Sequence, residues 1–194
     1  MNREGRRRRN KVAKVPIHGK AAHNAAFLTA IGGLVINWAN NESVFMAMLQ
    51  VLLAGGEFSA AIVWHSHRTT QARLELVGRL CRERVKDKAL LEDIQRAISA
   101  FKSLSRSRNF YCHAMYRYDA ELCLADAAGT TLTQEGEPIA FDVKRMDIAT
   151  LNEISHVSME LAQFNRRVWD LVGRLQTALG VQHVTLPQLP PEQK

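Results

Sequence analysis

The stretch that decides the fold is residues 87–113, with the sequence DKALLEDIQRAISAFKSLSRSRNFYCH. Its apolar residues recur every three or four positions, which is the period of an amphipathic helix. Asp87 precedes the first of them and suits an N-cap, because its side chain can accept hydrogen bonds from free N–H groups. The pattern therefore predicts a long helix that runs to His113. The apolar stripe consists of Leu90, Leu91, Ile94, Ala97, Ile98, Phe101 and Leu104.

The end of this predicted helix carries the candidate functional residues Arg108, Asn109 and His113. Arg108 is in register with the apolar stripe, where a guanidinium is costly unless it has a partner. Arg108 and His113 are separated by about 140° around the helix and about 7–8 Å along it, so we expect them to flank one groove. Such a pair suits an anionic substrate that requires proton transfer. Two structural roles stay open: Arg108 paired with Glu42 or another acid, and His113 at a helix C-terminus.

Three further long helices are predicted from the same period. The first runs from about His23 to Ala54, and the second from about Ser59 to Val85. The last begins at Asp147 or Thr150, where Thr150-x-x-Glu153 has the form of a capping box, and it ends at Gly180. Cys81, on the apolar side of the second helix, is expected to be a small core residue.

Between the third and fourth helices the period changes to two, which is typical of strands. The alternation of residues 116–124 predicts a first strand, and shorter strands are predicted at 130–133 and 139–143. Turns are expected at Asp126–Gly129 and at Gly136–Pro138. The predicted fold is therefore mainly α: an up-and-down bundle of four long helices with a small antiparallel β insert, at about 115–144, between the third and fourth.

The charge of the chain is concentrated at its beginning. Residues 1–20 hold eight basic residues and one acidic residue, and so carry the whole net charge of +7. We expect a basic disordered tail over residues 1–22, a single helical domain over 23–180 and a proline-containing tail over 181–194. The basic tail suits phosphate contacts with nucleic acid, and a solvated end that adds solubility is an equal alternative.

The remaining signals exclude several classes of function. No apolar run reaches the roughly 18 residues that a membrane span requires, and the three cysteines have no C-x-x-C spacing, so a reduced, cytoplasmic setting is expected. His65 and His67 have the wrong spacing for two ligands on one helical face, and no metal or cofactor is expected.

The motif Arg108-Asn109-x-x-x-His113, at the end of a third long helix, resembles the signature of the HEPN family (higher eukaryotes and prokaryotes nucleotide-binding). The order of helices is similar to that family from about residue 25 to residue 179. Asn41 and Glu42, midway along the first helix, match a recurring polar feature of it. The basic N-terminal tail is not part of the family's pattern.

The resemblance implies a metal-independent endoribonuclease that cleaves RNA by transesterification through the 2′-OH, with Arg108, Asn109 and His113 as catalytic residues. It implies a homodimer that brings two motifs together across one cleft. It also implies the role of a toxin or phage-defence effector, with an antitoxin protein as a partner. The alternative is a catalytically silent HEPN module that binds a nucleotide or a protein.

Overall fold

A computed structural model describes residues 19–132 and 138–181 of the chain. These residues form a mainly helical structure with one three-stranded antiparallel sheet of order β1-β2-β3. In chain order the elements are α1 (Lys20–Leu53), α2 (Glu57–Ser66), α3 (Thr70–Arg84), α4 (Lys88–His113), β1 (Met115–Tyr118), β2 (Leu124–Leu132), β3 (Pro138–Arg145) and α5 (Ile148–Leu179).

Helix α4 follows its sequence pattern closely. Asp87 caps it, because its carboxylate accepts hydrogen bonds from the backbone N–H groups of Ala89 (2.9 Å) and Leu90 (3.2 Å). The apolar stripe packs into the core, where Phe101 is fully buried. The Phe101 ring stacks on Trp38 of α1 at 4.2 Å and on Phe164 of α5 at 5.8 Å between centroids. This aromatic cluster joins the three longest helices.

The prediction of one helix over residues 59–85 is wrong, because the chain breaks between α2 and α3. Thr69 is the reason. Its hydroxyl accepts a hydrogen bond from the Ala72 N–H at 3.2 Å and starts a new helix. The side chain of Arg73 then donates hydrogen bonds to the carbonyl oxygens of Trp64 (3.2 Å) and His67 (3.0 Å). These bonds hold the end of α2 against the start of α3.

The helix directions also differ from a simple four-helix up-and-down bundle. Asn37 contacts Ser158, and Asn41 contacts the Leu161 carbonyl, so residue numbers rise together along α1 and α5. These two helices are therefore parallel. Helix α4 is antiparallel to α5, because Asp93, near its start, contacts Arg174, near the end of α5.

The predicted turn at Asp126–Gly129 is wrong as well, since these residues lie inside β2. The turn between β1 and β2 is at residues 119–123, where the Asp119 carboxylate accepts from the N–H groups of Glu121 (2.8 Å) and Cys123 (2.9 Å). Leu122 takes a positive φ of 60° in this turn. The predicted turn at 136–138 falls mostly outside the described residues.

The start of α5 decides between the two predicted caps, Asp147 and Thr150. Asp147 caps the helix by accepting from the Thr150 N–H at 3.0 Å, whereas Thr150 is buried inside the first turn and forms no capping box. Gly180 ends the helix in the left-handed conformation, as predicted, with φ of 63°. Residues 1–18 and 182–194, which include most of both predicted tails, lie outside the described part of the chain.

Among the described residues, no single helix is long and apolar enough to cross a membrane. Helix α1 together with the part of α2 that begins at Phe58, inclined to it by 116°, meets the length and composition criteria only as a bent pair.

One especially close contact packs the sheet against the end of α4. Gly129 of β2 faces the ring of Phe110 so closely that a Cβ atom added at Gly129 would lie 2.6 Å from Phe110 Cε2. Glycine in a strand often marks such an approach. The contact holds β2 beside the last turns of α4.

Gly129→Ala should therefore lower the free energy of unfolding by about 1–3 kcal/mol, because the Phe110 ring must shift to admit the methyl group. The measurement is urea denaturation. Gly173→Ala is the matched control, since nothing lies within 4 Å of an added Cβ there. The control should gain up to about 1 kcal/mol from its helical position. A Gly129→Ala protein as stable as wild type would contradict this packing.

Cys81 is buried in the core as predicted, and burial raises the pKa of its thiol to about 12. Little thiolate then exists at pH 8, so iodoacetamide should modify the partly exposed Cys112 and Cys123 well before Cys81. Peptide mass spectrometry measures the order, and urea should abolish the difference. Equal rates for Cys81 and Cys123 in the native protein would contradict the assignment.

Candidate functional site

The last two turns of α4 form one wall of a cleft of about 510 Å³. Strands β2 and β3 form the facing wall, because the Phe110–Gly129 contact holds them there. Ligand pockets of proteins are commonly about 300–1,000 Å³, so the cleft has the size of a binding site. Its lining residues are Arg106, Ser107, Asn109, Phe110, His113, Ala114, Gly129, Thr130, Asp142 and Lys144.

His113 is the last residue of α4, and its side chain is exposed to the cleft. Asn109 lies one turn earlier on the same side of the helix, and Arg106 lies three residues before Asn109. The predicted spacing thus brings Asn109 and His113 to one surface. Arg106 joins them in the cleft.

Arg108 does not line the cleft and points instead toward α1. Its guanidinium carbon lies 5.5 Å from the centroid of the Trp38 ring, a cation–π arrangement. One terminal nitrogen donates to the Asn109 side-chain oxygen at 3.0 Å. The Arg108 Nε is buried and makes no hydrogen bond within the described part of the chain. Arg108 is therefore connected to the cleft through Asn109.

Lys144 on β3 brings a second cation to the cleft. Its ammonium lies 5.2 Å from the ring centroids of both Phe110 and Tyr111. It also donates to the Glu153 carboxylate at 2.6 Å. The side chain is only 26% exposed, so the ammonium is held in one place rather than moving freely in solvent.

The tyrosines beneath the cleft are neutral. Burial raises the pKa of the Tyr111 phenol, and the charge of Glu153 raises it further. Burial also raises the pKa of Tyr116 to about 12, and its hydroxyl donates to the Tyr111 carbonyl oxygen at 2.5 Å. This hydrogen bond ties β1 to the last turn of α4. The tyrosines support the site and supply no charge to it.

The pairing of Arg108 with Glu42, one of the structural roles left open by the sequence, is not found. Glu42 accepts a hydrogen bond from the Thr70 hydroxyl and lies 3.6 Å from a terminal nitrogen of Arg73, both on α3. No carboxylate of the described residues forms an ion pair with Arg108. The helix-terminal position of His113 matches the other structural role.

Sequence reasoning missed Thr130, Asp142 and Lys144, which line the facing wall. These residues lie 17 to 31 positions after His113, on strands whose pairing no local pattern specifies. The alternation of residues 139–143 predicted a strand, but not that this strand would lie beside α4. Lys144 follows directly after that segment and carries no signal that separates it from an ordinary surface lysine.

The described residues contain no group of three or more histidine, cysteine or acidic side chains that could hold a metal ion. Asp142, across the cleft from α4, is the one carboxylate among the lining residues. The described cleft therefore offers two cations, one imidazole, one amide and one carboxylate. Comparisons with protein-family models, with curated proteins and with solved structures found no match to this chain.

Proposed function

We propose that the chain is a metal-independent endoribonuclease of HEPN type, with its site in the cleft around His113. The observation that supports this most is that one exposed imidazole shares a cleft with two cationic side chains, Arg106 and Lys144. Imidazole titrates near neutral pH, and cations stabilise the charge of a phosphodiester in its transition state. The roles of toxin or phage-defence effector remain part of this proposal.

The reaction needs a base, an acid and a cation. His113 takes the proton of the ribose 2′-OH, and the 2′-oxygen attacks the adjacent phosphorus. The bond from phosphorus to the 5′-oxygen breaks, and the leaving oxygen receives a proton from a general acid. The products are a 2′,3′-cyclic phosphate and a 5′-hydroxyl, so no water or metal ion is consumed. Arg106 and Lys144 bind the phosphate oxygens during this step.

Arg108 and Asn109 have distinct roles in this proposal. The Asn109 amide faces the phosphate from one turn before His113. Arg108 acts as a positioning residue, because its guanidinium holds the Asn109 side-chain oxygen at 3.0 Å and thereby orients the amide nitrogen. A direct contact of Arg108 with phosphate, as the family resemblance implies, would require its guanidinium to leave Trp38.

The general acid is supplied by a second copy in this proposal. The described cleft contains one histidine, which is half of an acid–base pair. We therefore propose a homodimer in which the segment Arg108–His113 of each copy faces a shared RNA strand. A catalytically silent module that binds a nucleotide is the second candidate, and the same single histidine favours it.

Replacing His113 tests the chemistry. His113→Ala should lower the cleavage rate of single-stranded RNA by about 10²–10⁴-fold, the usual contribution of a general acid–base. RNA affinity and thermal stability should change little, because the side chain is exposed. EDTA should leave the cleavage rate of wild type unchanged, because the proposed mechanism uses no metal ion. His65→Ala, at an exposed histidine outside the cleft, is the matched control. Equal cleavage by His113→Ala would contradict the proposal, and binding without cleavage by wild type would favour the silent module.

Replacing Lys144 tests phosphate binding separately. Lys144→Met should weaken RNA binding and lower the slope of log affinity against log salt by about 1, because one phosphate contact is lost. Lys102→Met is the control, since Lys102 also pairs with a glutamate, Glu75 at 3.8 Å, but lies outside the cleft. Fluorescence anisotropy with labelled RNA measures both. If Lys144→Met had the same salt slope as wild type, Lys144 would not be part of the RNA-binding site.

A further inference from the structure

Helix α4 carries a strip of exposed arginine and serine side chains that leads to the cleft. The members of this strip follow each other at spacings of three and four residues, which places them on one side of the helix, and all are exposed. Residues 94–113 of α4 contain no aspartate or glutamate. The strip reaches the cleft at Arg106, which is one of the cleft's lining residues. We call it the α4 strip, and it consists of Arg96, Ser99, Ser103 and Arg106.

The other end of the α4 strip opens into a groove between α4 and α5. The groove encloses about 420 Å³, and it is lined by Arg96 from α4 and by Arg167 and Arg174 from α5. Antiparallel packing of the two helices brings these arginines together, because it puts the end of α5 beside the start of α4. The groove and the cleft share no lining residue. The apolar residues that line the groove are Ala97, Ala100, Phe164, Val168 and Leu171.

The arginines of the groove outnumber its carboxylates, which are Asp93 and Asp170. Asp93 lies 2.5 Å from a nitrogen of Arg96 and 2.8 Å from a nitrogen of Arg174. Each guanidinium has five N–H donors, so one shared carboxylate positions both groups and leaves most of their donors available to a ligand. Glu92, which is 3.9 Å from Arg96, ends the α4 strip with a negative charge.

Arg167 differs from the other two arginines of the groove in having no acidic partner. No carboxylate of the described residues forms an ion pair with it. Its guanidinium carbon lies 5.7 Å from the centroid of the Phe164 ring. Phe164 is only 3% exposed, whereas Arg167 is exposed, so the ring supports a guanidinium that meets solvent. RNA-binding proteins use such guanidinium planes as surfaces on which a base stacks.

We propose that the groove and the α4 strip bind the same RNA strand whose phosphodiester lies in the cleft, an inference that rests on the proposed ribonuclease function. Proteins hold single-stranded RNA with cations that follow its backbone and with flat groups on which its bases stack. The groove and the strip together supply both. A protein partner is held chiefly by large apolar anchors in pockets, whereas the α4 strip exposes only arginine and serine side chains.

The spacing of the two sites sets the length of RNA that fills both. Arg96 and His113 are 17 residues apart, which corresponds to about 25 Å along α4. A strand with stacked bases rises about 3.4 Å per nucleotide, so about seven nucleotides reach from the cleft to the groove, whereas a strand of three nucleotides spans only about 10 Å. The protein therefore binds long single strands more tightly than short ones.

The double variant Arg96→Met with Arg167→Met tests the proposal with RNA strands of three and of twelve nucleotides. Both strands carry 2′-O-methyl groups, which block cleavage, and fluorescence anisotropy measures their affinities over a range of salt. Wild type should show the steeper salt dependence for the longer strand. The variant should lose about 0.7–1.4 of that difference in slope, because each phosphate contact of a single strand contributes about 0.7. Arg68→Met with Arg79→Met is the matched control, since both arginines are exposed and lie outside the groove and the cleft.

An unchanged difference in slope for the groove variant would overturn the proposal, as would an equal loss for the control. An equal loss of affinity for both strand lengths would also overturn it, because the arginines would then act through the cleft. If an acidic peptide of twelve residues bound where neither RNA strand did, the groove would belong to a protein partner and the proposal would be wrong.

Ser103→Glu is a second variant that does not depend on the arginines, because it adds a negative charge in the middle of the α4 strip. It should weaken the binding of the longer strand, with an unchanged circular dichroism spectrum. Ala162→Glu is its control, since Ala162 is exposed and lies on the opposite side of α5 from Phe164. Equal binding of the longer strand by both variants would contradict the proposal. Cleavage of unmodified RNA tests the ribonuclease function separately, because the 2′-O-methyl strands report binding without cleavage.

Discussion

The contact between the Phe110 ring and the backbone of Gly129 is the constraint on which the site depends. Helix α4 ends beside it, and strand β2 is held at a distance that only glycine permits. Without this approach, β3 would not bring Lys144 over the Phe110 and Tyr111 rings. The cleft exists because a helix end and a sheet share one packed aromatic side chain, and its two walls come from segments distant in sequence.

Helix α4 serves two purposes along its length. As far as Phe101 it is an ordinary core helix, and this residue lies at the centre of the aromatic cluster. In the last two turns of the helix, polar side chains face outward, although Arg108 continues the register of the buried stripe. The result is a guanidinium above Trp38 with its Nε buried and unpaired in the described part of the chain. A buried donor without a hydrogen-bond partner lowers the free energy of unfolding. In our proposal, Arg108 is nevertheless useful to the protein because it positions Asn109.

Local signals predicted much of the fold and part of the site. Asp87 and Gly180 end their helices as predicted, and the positions of Asn109 and His113 follow from helical spacing alone. The break at Thr69 was missed, because the apolar pattern continues across it and a single threonine decided the boundary. The register of β3 on β2, and with it Lys144 and Asp142, depends on pairings between distant residues. The alternation within a strand sets which of its faces is buried, but it does not identify the helix end that the sheet packs against.

The central claim is that RNA binds in the cleft at His113. The most direct measurement is a nuclear magnetic resonance titration of histidine-labelled protein with single-stranded RNA carrying 2′-O-methyl groups, which block cleavage. The chain has seven histidines, so the others serve as internal references. We predict that the imidazole signal of His113 shifts with saturation while those of His65 and His156 do not. Saturating RNA binding that leaves the His113 signal unchanged would contradict the account.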